Sequence, residues 1–428
     1  MNTAPKAALT ADERSVLLKF LAKLGQAQLA GGNAVPFVER DIVLIARQHG
    51  LEGVTAFVLP TGLFIEVDDA AGHKLDLASG PYRTGQLRMD QIEEVLVIAR
   101  DARTGRITPE RGLERLEAVQ RMRHRYGDIG FALGYLVTTL GVALMLRPSL
   151  QGLGVVAVLA LLCAGLLLMV RKRPAWAVIM PVVASFALSA AVALGYRFGL
   201  KEPAMTLLIP PLITFLPGMM LTVSVIELAY ANVISGASRM VAGFAQLILL
   251  AFGILGGFKA FPFPESGDVP TPLLARLGPW VPWMGVVVFA IGLHVYQSSK
   301  PRSFGFMFLT AVVAYGAQTI AGQFLHGGST AFFGAAAMTM VALVIEFRFN
   351  GPPAIVTFLP GFWLLAPGSF GLISVASMAT GSSTAEDLLA FLFALTGIAT
   401  GCLIGAFTYS ALLHPRHIRW WAIEEHRR

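Results

Sequence analysis

The residues that could do chemistry here are a few polar groups and helix breakers set in apolar surroundings. Thr214-Phe215-Leu216-Pro217-Gly218 lies inside an apolar run, Pro203 to Val233, that also holds Pro210, Pro211 and Glu227. The same five residue types recur at Thr357-Phe358-Leu359-Pro360-Gly361, in a second run that continues to Pro367-Gly368. Proline lacks an amide proton and clashes with the preceding turn, so a helix containing it is kinked or broken. A break at Pro217-Gly218 or Pro367-Gly368 would turn free carbonyls and amides towards a ligand, or would be a structural kink healed by neighbouring helices.

Glu227 is an acid in an apolar run. Such a residue binds a cation, carries a proton or is paired; here the ammonium of a ligand, a proton and Arg239 are the options. Asn232, Ser235, Gly236 and Arg239 could form a gate in which Arg239 attracts a carboxylate, or a helix stop with an orienting arginine. Glu346 and Arg348 are either the inverted counterpart of that gate or a solvated pair at a helix end. Gln318 joins these as a polar residue at membrane depth, with Gln323, His294 and His326 nearby. Their spacing makes no metal site. With no nucleophile–base set, Walker loop or dinucleotide fingerprint, neither an enzyme, nor an ATP-driven pump, nor a cofactor is expected.

The surroundings that must position these groups are membrane helices. Only 14% of the 428 residues are charged, against roughly a quarter in soluble domains. Most of that charge precedes Tyr126. The net charge of +7 suits anionic lipid and, without interleaved aromatics, not nucleic acid. Residues 1–30 lack a compact apolar core and a small-residue cleavage site, so no leader is expected before the first membrane helix. Cys163 and Cys402 sit in apolar runs and read as small core residues.

Before Tyr126 the spacing predicts a helix capped by Asp12 and running to Leu29, a helix from Val35 to His49, and a hairpin of Val54–Leu59 and Leu63–Val67 about Pro60-Thr61-Gly62. Asp69 to Gly72 then turns into a weaker strand at Lys74–Ala78, followed by helices Leu87–Thr104 and Pro109–Arg125. From Asp128, apolar blocks of about twenty residues match the length needed to cross the hydrocarbon. They predict helices near 129–147, 153–170, 175–196, 204–233 and 238–258, then 283–298, 304–323, 329–346, 353–378 and 386–412. The domains are therefore a cytoplasmic α+β domain (1–125), a first five-helix half (126–260), an extracytoplasmic linker (261–282), a second half (283–413) and a basic cytoplasmic tail (414–428). Basic residues concentrate in alternate loops, which places both termini in the cytoplasm, with Trp420-Trp421 as an interfacial anchor. Gly397, Gly401 and Gly405 form a small-residue stripe suited to close helix packing.

Five helices per half is odd, so equivalent helices run in opposite directions, as in inverted-repeat transporters. Depth along the helix pairs Pro217 with Pro367 rather than with Pro360.

At these residues the chain resembles the threonine/serine exporter family, from about Ser15 to Leu413. The resemblance rests on Gly32 through Val38-Glu39, Ile45-Ala46, Leu59-Pro60-Thr61-Gly62, Leu216-Pro217-Gly218, Glu227-Leu228, Ser235-Gly236, Arg239, Arg348, Gly351-Pro352 and Ala366-Pro367-Gly368. Pro352-Pro353 and the second Thr-Phe-Leu-Pro-Gly depart from the family pattern. The resemblance implies a secondary exporter in the plasma (inner) membrane that moves threonine and serine and is driven by the proton gradient. Succinate, the substrate of split members, is the alternative; a receptor sensing through its N-terminal domain is another. The partners implied are a small-molecule substrate, a proton and the lipid bilayer; a homo-oligomer is compatible with all of them.

This topology has a direct test. A single cysteine at Thr61 should resist an impermeant thiol reagent in intact cells and react in inside-out vesicles, while one at Ser382 should do the reverse.

Overall fold

The computed structural model describes residues 9–67, 74–79, 87–261, 278–325, 329–365, 372 and 385–413. The chain divides into two compact units: Met1–Arg123 with Val223–Met240, and His124–Thr222 with Val241–Arg428.

Up to Arg123 the described residues of the first unit form four helices and a small sheet, and parts of two further helices join them from Val223–Met240. Helix α1 (Ala11–Ala30) opens at a capping box: the Thr10 hydroxyl accepts the Glu13 amide at 3.3 Å, and the Glu13 carboxylate accepts the Thr10 amide at 2.9 Å. The cap is therefore Thr10 and not Asp12, because the Thr-x-x-Glu spacing satisfies two orphan amides reciprocally. Helix α2 (Val35–Gln48) ends before Gly50, whose φ of 87° suits a helix stop. Strands β1 (Val54–Leu59), β2 (Gly62–Val67) and β3 (Lys74–Ser79) form an antiparallel meander in the order β1-β2-β3. Leu59 pairs with Gly62, which leaves Pro60-Thr61 as a two-residue turn. Helices α3 (Met89–Arg103) and α4 (Pro109–Arg121) follow, with Thr108 capping α4. Helix α4 stops short of the expected Arg125: Met122 turns to an extended backbone and its carbonyl accepts from Arg88 at 3.1 Å.

Leu17, Leu21 and Leu24 on α1 and Val38, Ile42 and Ile45 on α2 share one spacing, which puts each trio on one helix face. Both trios are buried together with Leu63, Ile65, Val95 and Ile98. Truncating one such leucine to alanine costs about 2–5 kcal/mol. The expected turn Asp69–Gly72 lies outside the described residues.

The second unit is helical and apolar. Its helices are α5 (Gly127–Leu146), α6 (Leu150–Lys172), α7 (Met180–Arg197), α8 (Ala204–Leu212), the greater part of α10 (Val233–Ala260), α11 (Val281–Tyr296), α12 (Pro301–Ala321), α13 (Thr330–Arg348), α14 (Ala354–Leu365) and α15 (Ala385–Leu413). The boundary between the units falls within α10 and within α9 (Gly218–Ala229). Among the described residues, seven helices are long and apolar enough to cross a membrane, and α8 with α9, bent by 60° at the break, passes the same test as a pair, either a broken span or a re-entrant loop. Helices α11 and α14 are shorter apolar helices. The chain is thus a polytopic, mostly helical membrane protein. The expected helix 204–233 is interrupted at the prolines that marked it in the sequence, and of the expected helix 353–378 the continuous part described is α14. Most of the linker, the tail, Ser382 and Trp420-Trp421 lie outside the described residues.

Helices α5 and α11 meet backbone to backbone. Gly134 faces Tyr296, Gly292 faces Thr138, Gly141 faces Phe289, and Gly285 faces Met145 and the Gly141 carbonyl. The partner number falls as the α5 number rises, so the two helices run antiparallel. The contact is also self-complementary: Gly134 and Gly141, seven residues apart on α5, play the part that Gly285 and Gly292 play on α11. A two-fold contact has this form. A second pattern occurs twice. Gly253 and Gly257 of α10 lie on Val182, Ser185, Phe186 and Ser189 of α7, while Gly401 and Gly405 of α15 lie on Phe332, Ala335 and Ala336 of α13. In both cases partner numbers rise together, so each pair is parallel. The remaining packing repeats too: α5–α6, α5–α8, α6–α7, α6–α8 and α7–α8 match α11–α12, α11–α14, α12–α13, α12–α14 and α13–α14.

Side chains cannot enter the α5–α11 seam without parting the backbones. Gly141→Leu should destabilise the purified protein by about 1–3 kcal/mol or more. Gly154→Leu, where a side chain would meet nothing within 4 Å, should stay within about 0.5 kcal/mol. Melting in detergent checks both.

Candidate functional site

The interruption between α8 and α9 follows from three prolines. Pro210 and Pro211 lie inside α8, a 3-10 turn spans Ile213–Phe215, and α9 begins at Gly218. Pro217 has no amide to give the Ile213 carbonyl, which accepts instead from Leu216 at 3.3 Å. Regular bonding resumes where the Leu221 amide donates to the Pro217 carbonyl at 2.9 Å.

The carbonyls left over are taken by side chains. Tyr135 on α5 donates its hydroxyl to the Pro211 carbonyl at 2.6 Å, and the Cys163 thiol on α6 donates to the same oxygen at 3.3 Å. The Gln246 amide on α10 donates to the Phe215 carbonyl. Thr214 joins the group, its hydroxyl 3.1 Å from the Tyr135 oxygen. Tyr135 and Cys163 are buried and Thr214 is half-buried. None of Tyr135, Cys163 and Gln246 stood out in the sequence as a partner of the break, since each resembles an ordinary core or helix residue.

The second half offers a comparison by position. Pro360 is the seventh residue of α14, as Pro210 is the seventh of α8, and α14 continues through it. Counting on from the same starts, Pro217 falls opposite Pro367. Pro367-Gly368 and His326 lie outside the described residues.

Glu227, Asn232, Ser235, Gly236 and Arg239 come together in the first unit. Ala231 takes a left-handed turn (φ 61°) between α9 and α10, and the Asn232 amide closes it on the Glu227 carbonyl at 2.9 Å. Gly236 sits where a side chain would strike Leu228 and the Ser224 carbonyl, and Ser235 is buried. Glu227 is fully buried. One carboxylate oxygen lies 3.1 Å from the Arg239 guanidinium and accepts the Val35 amide at 3.0 Å. The other has no hydrogen-bond partner. Ala34, the N-cap residue of α2, offers no side-chain cap, so Glu227 supplies the anion this helix end favours. Arg239 also donates to the Asn33 carbonyl at 3.4 Å, and Phe37 meets Tyr230 edge-on at 5.8 Å. Glu39 accepts the Val58 amide at 3.0 Å. Burial first, and the nearby Glu227 charge in addition, push the Glu39 carboxyl above its ordinary range.

The other candidates are dispersed. Glu346 accepts the Ala354 amide at 2.7 Å and so caps α14, while Arg348 is exposed in the last turn of α13. Gln318 lies half-buried on α12 beside Gly334. His294 bonds Ser299 at 3.1 Å and Gln323 is exposed. Glu202 was not foreseen: between Lys201 and Pro203 it looks like a loop charge, yet it is buried and accepts the Ser149 amide at 2.8 Å at the start of α6. No group of three His, Cys, Asp or Glu side chains among the described residues could hold a metal.

A model of the threonine/serine exporter (ThrE) family matches residues 19–261, more than half of the chain. The chain belongs to that family. The match takes in the first unit and the break at Pro217-Gly218, and it ends before α11, so the second half lies beyond it. No curated protein and no solved structure matches the chain. Family membership and the membrane helices together make this a multi-pass membrane protein whose family exports a small molecule.

Because Glu227 is buried against Arg239 and α2, Glu227→Gln should lower stability by about 3–5 kcal/mol by leaving the arginine uncompensated. Adding Arg239→Gln should recover a substantial part of that loss. Melting of the two single variants and the double variant measures the coupling.

Proposed function

We propose that this protein is a secondary exporter of threonine and serine, and that the interruption at Pro217-Gly218 is where substrate meets the backbone. One observation carries the reading. In a chain of the exporter family, a membrane span is broken by 60° at a proline-glycine pair, and side chains from three other helices hold the carbonyls on the approach to it. Interrupted helices near the membrane midplane are how many secondary transporters present polar backbone to a ligand.

The two halves work as an inverted repeat of five helices each. In support, α5 and α11 run antiparallel through a self-complementary seam, and each half packs its helices in the same pairs. The two positions that open the repeat are then Pro217-Gly218 and Pro367-Gly368. Glu227, Asn232, Ser235, Gly236 and Arg239 form a gate at the cytoplasmic end of the first half, and Glu346 and Arg348 belong to its counterpart. Opening the first gate requires parting Glu227 from Arg239, which makes that pair a switch between states. Both termini face the cytoplasm, and the proton gradient supplies the energy.

Counterflow into proteoliposomes tests the reading. Vesicles preloaded with threonine should accumulate labelled threonine and serine, and Gly218→Leu should abolish this while the protein still melts cooperatively. Accumulation of labelled succinate, with none of threonine or serine, would overturn the amino-acid assignment.

A further inference from the structure

Thr214 stands three residues before Pro217, and the direction of its hydroxyl proton follows from its neighbours. The Pro211 carbonyl has no proton to give, so at 2.6 Å the Tyr135 hydroxyl must be the donor. That commits the only proton on the Tyr135 oxygen, which can thereafter only accept. The 3.1 Å contact between Tyr135 and Thr214 is then a hydrogen bond donated by Thr214. The Thr214 proton is committed in turn; its oxygen also bonds with the buried Tyr296 hydroxyl and has only lone-pair capacity left for any further partner. Tyr135, Cys163 and Pro211 are buried, whereas Thr214 is half-buried, so the part of this cluster open to a further partner is an acceptor.

We infer that Thr214, held by Tyr135, is a specificity-determining residue that accepts a hydrogen bond from the ammonium or hydroxyl group of the substrate. The inference rests on the export reading above and sharpens it. An ammonium or a side-chain hydroxyl can donate to Thr214. A dicarboxylate at neutral pH carries only acceptors and would face lone pairs with lone pairs, which disfavours it at this point. Tyr135 is a positioning residue here: it acts on substrate only through the proton it draws from Thr214.

The full-length protein in proteoliposomes supplies the test, with labelled threonine and serine as substrates and succinate as competitor. Thr214→Val keeps the branched shape and removes the acceptor. It should raise the KM for threonine by roughly 10–100-fold, the worth of one hydrogen bond to a charged group, with Vmax changed far less. Thr214→Ser should restore a KM within about twofold of the parent, as expected for a conserved hydroxyl. Tyr135→Phe, which takes away the acceptor that Tyr135 offers and leaves Thr214 to the Tyr296 hydroxyl, should raise KM in the same direction and weaken the discrimination against succinate. Melting curves accompany each variant, and Thr214→Ala replaces Thr214→Val if the latter does not fold. A wild-type KM in a folded Thr214→Val or Thr214→Ala variant would overturn the inference and leave the export reading standing. Failure of the parent protein to exchange threonine or serine would overturn the export reading itself.

Discussion

A backbone carbonyl in hydrocarbon has no water to turn to, and leaving one unbonded costs several kcal/mol. That constraint governs the second unit. Three prolines between positions 210 and 217 break the bonding ladder, so an interrupted helix exists there only if other side chains accept the task of satisfying it. Tyr135, Cys163 and Gln246 do so, from three helices. The break is therefore a built feature with a fixed shape and not a point of slackness, and the same bonds that hold it also orient the hydroxyl of Thr214.

Holding a break still requires that the surrounding helices be placed accurately, and the glycine seam accounts for that. Between lipid tails there is no hydrophobic force to join two apolar helices, so close backbone approach and dispersion carry the contact. Gly134, Gly141, Gly285 and Gly292 let α5 and α11 approach to that degree, and α5 is the helix that carries Tyr135. A seam in which each helix offers the same pattern to the other has the form of a two-fold contact. Gly253 and Gly257 tie α10 to α7, and Gly401 and Gly405 tie α15 to α13.

The first unit solves a different problem. Helix α2 begins at Val35 with no capping side chain of its own, and its first amide, that of Val35, donates to Glu227, an acid that arrives with the end of α9. Removing a carboxylate from water is expensive, and Arg239 together with the Val35 amide offsets that cost. One carboxylate oxygen remains without a partner, which leaves the arrangement satisfied on one side only. A half-satisfied buried ion pair is better suited to being made and broken than to serving as permanent cement.

The sequence alone determined the membrane class, the order of the elements and the position of the break, because each depends on local features: twenty-residue apolar blocks, period-3.6 leucines and proline's missing proton. It also exposed Glu227 and Arg239 as the polar residues to watch and offered their pairing as one option, which the structure shows, while the Val35 amide was not foreseen. Its local signals failed where two of them competed within a turn, as with Thr10 and Asp12, or where a helix end was set by a distant arginine, as at Met122. Only the tertiary structure decided that Tyr135 answers Pro211, that Glu227 caps α2 and that α5 lies antiparallel on α11. Those partners stand 76, 192 and about 150 residues apart, so no local spacing records them. They follow from which surfaces pack once every buried polar group must find a partner.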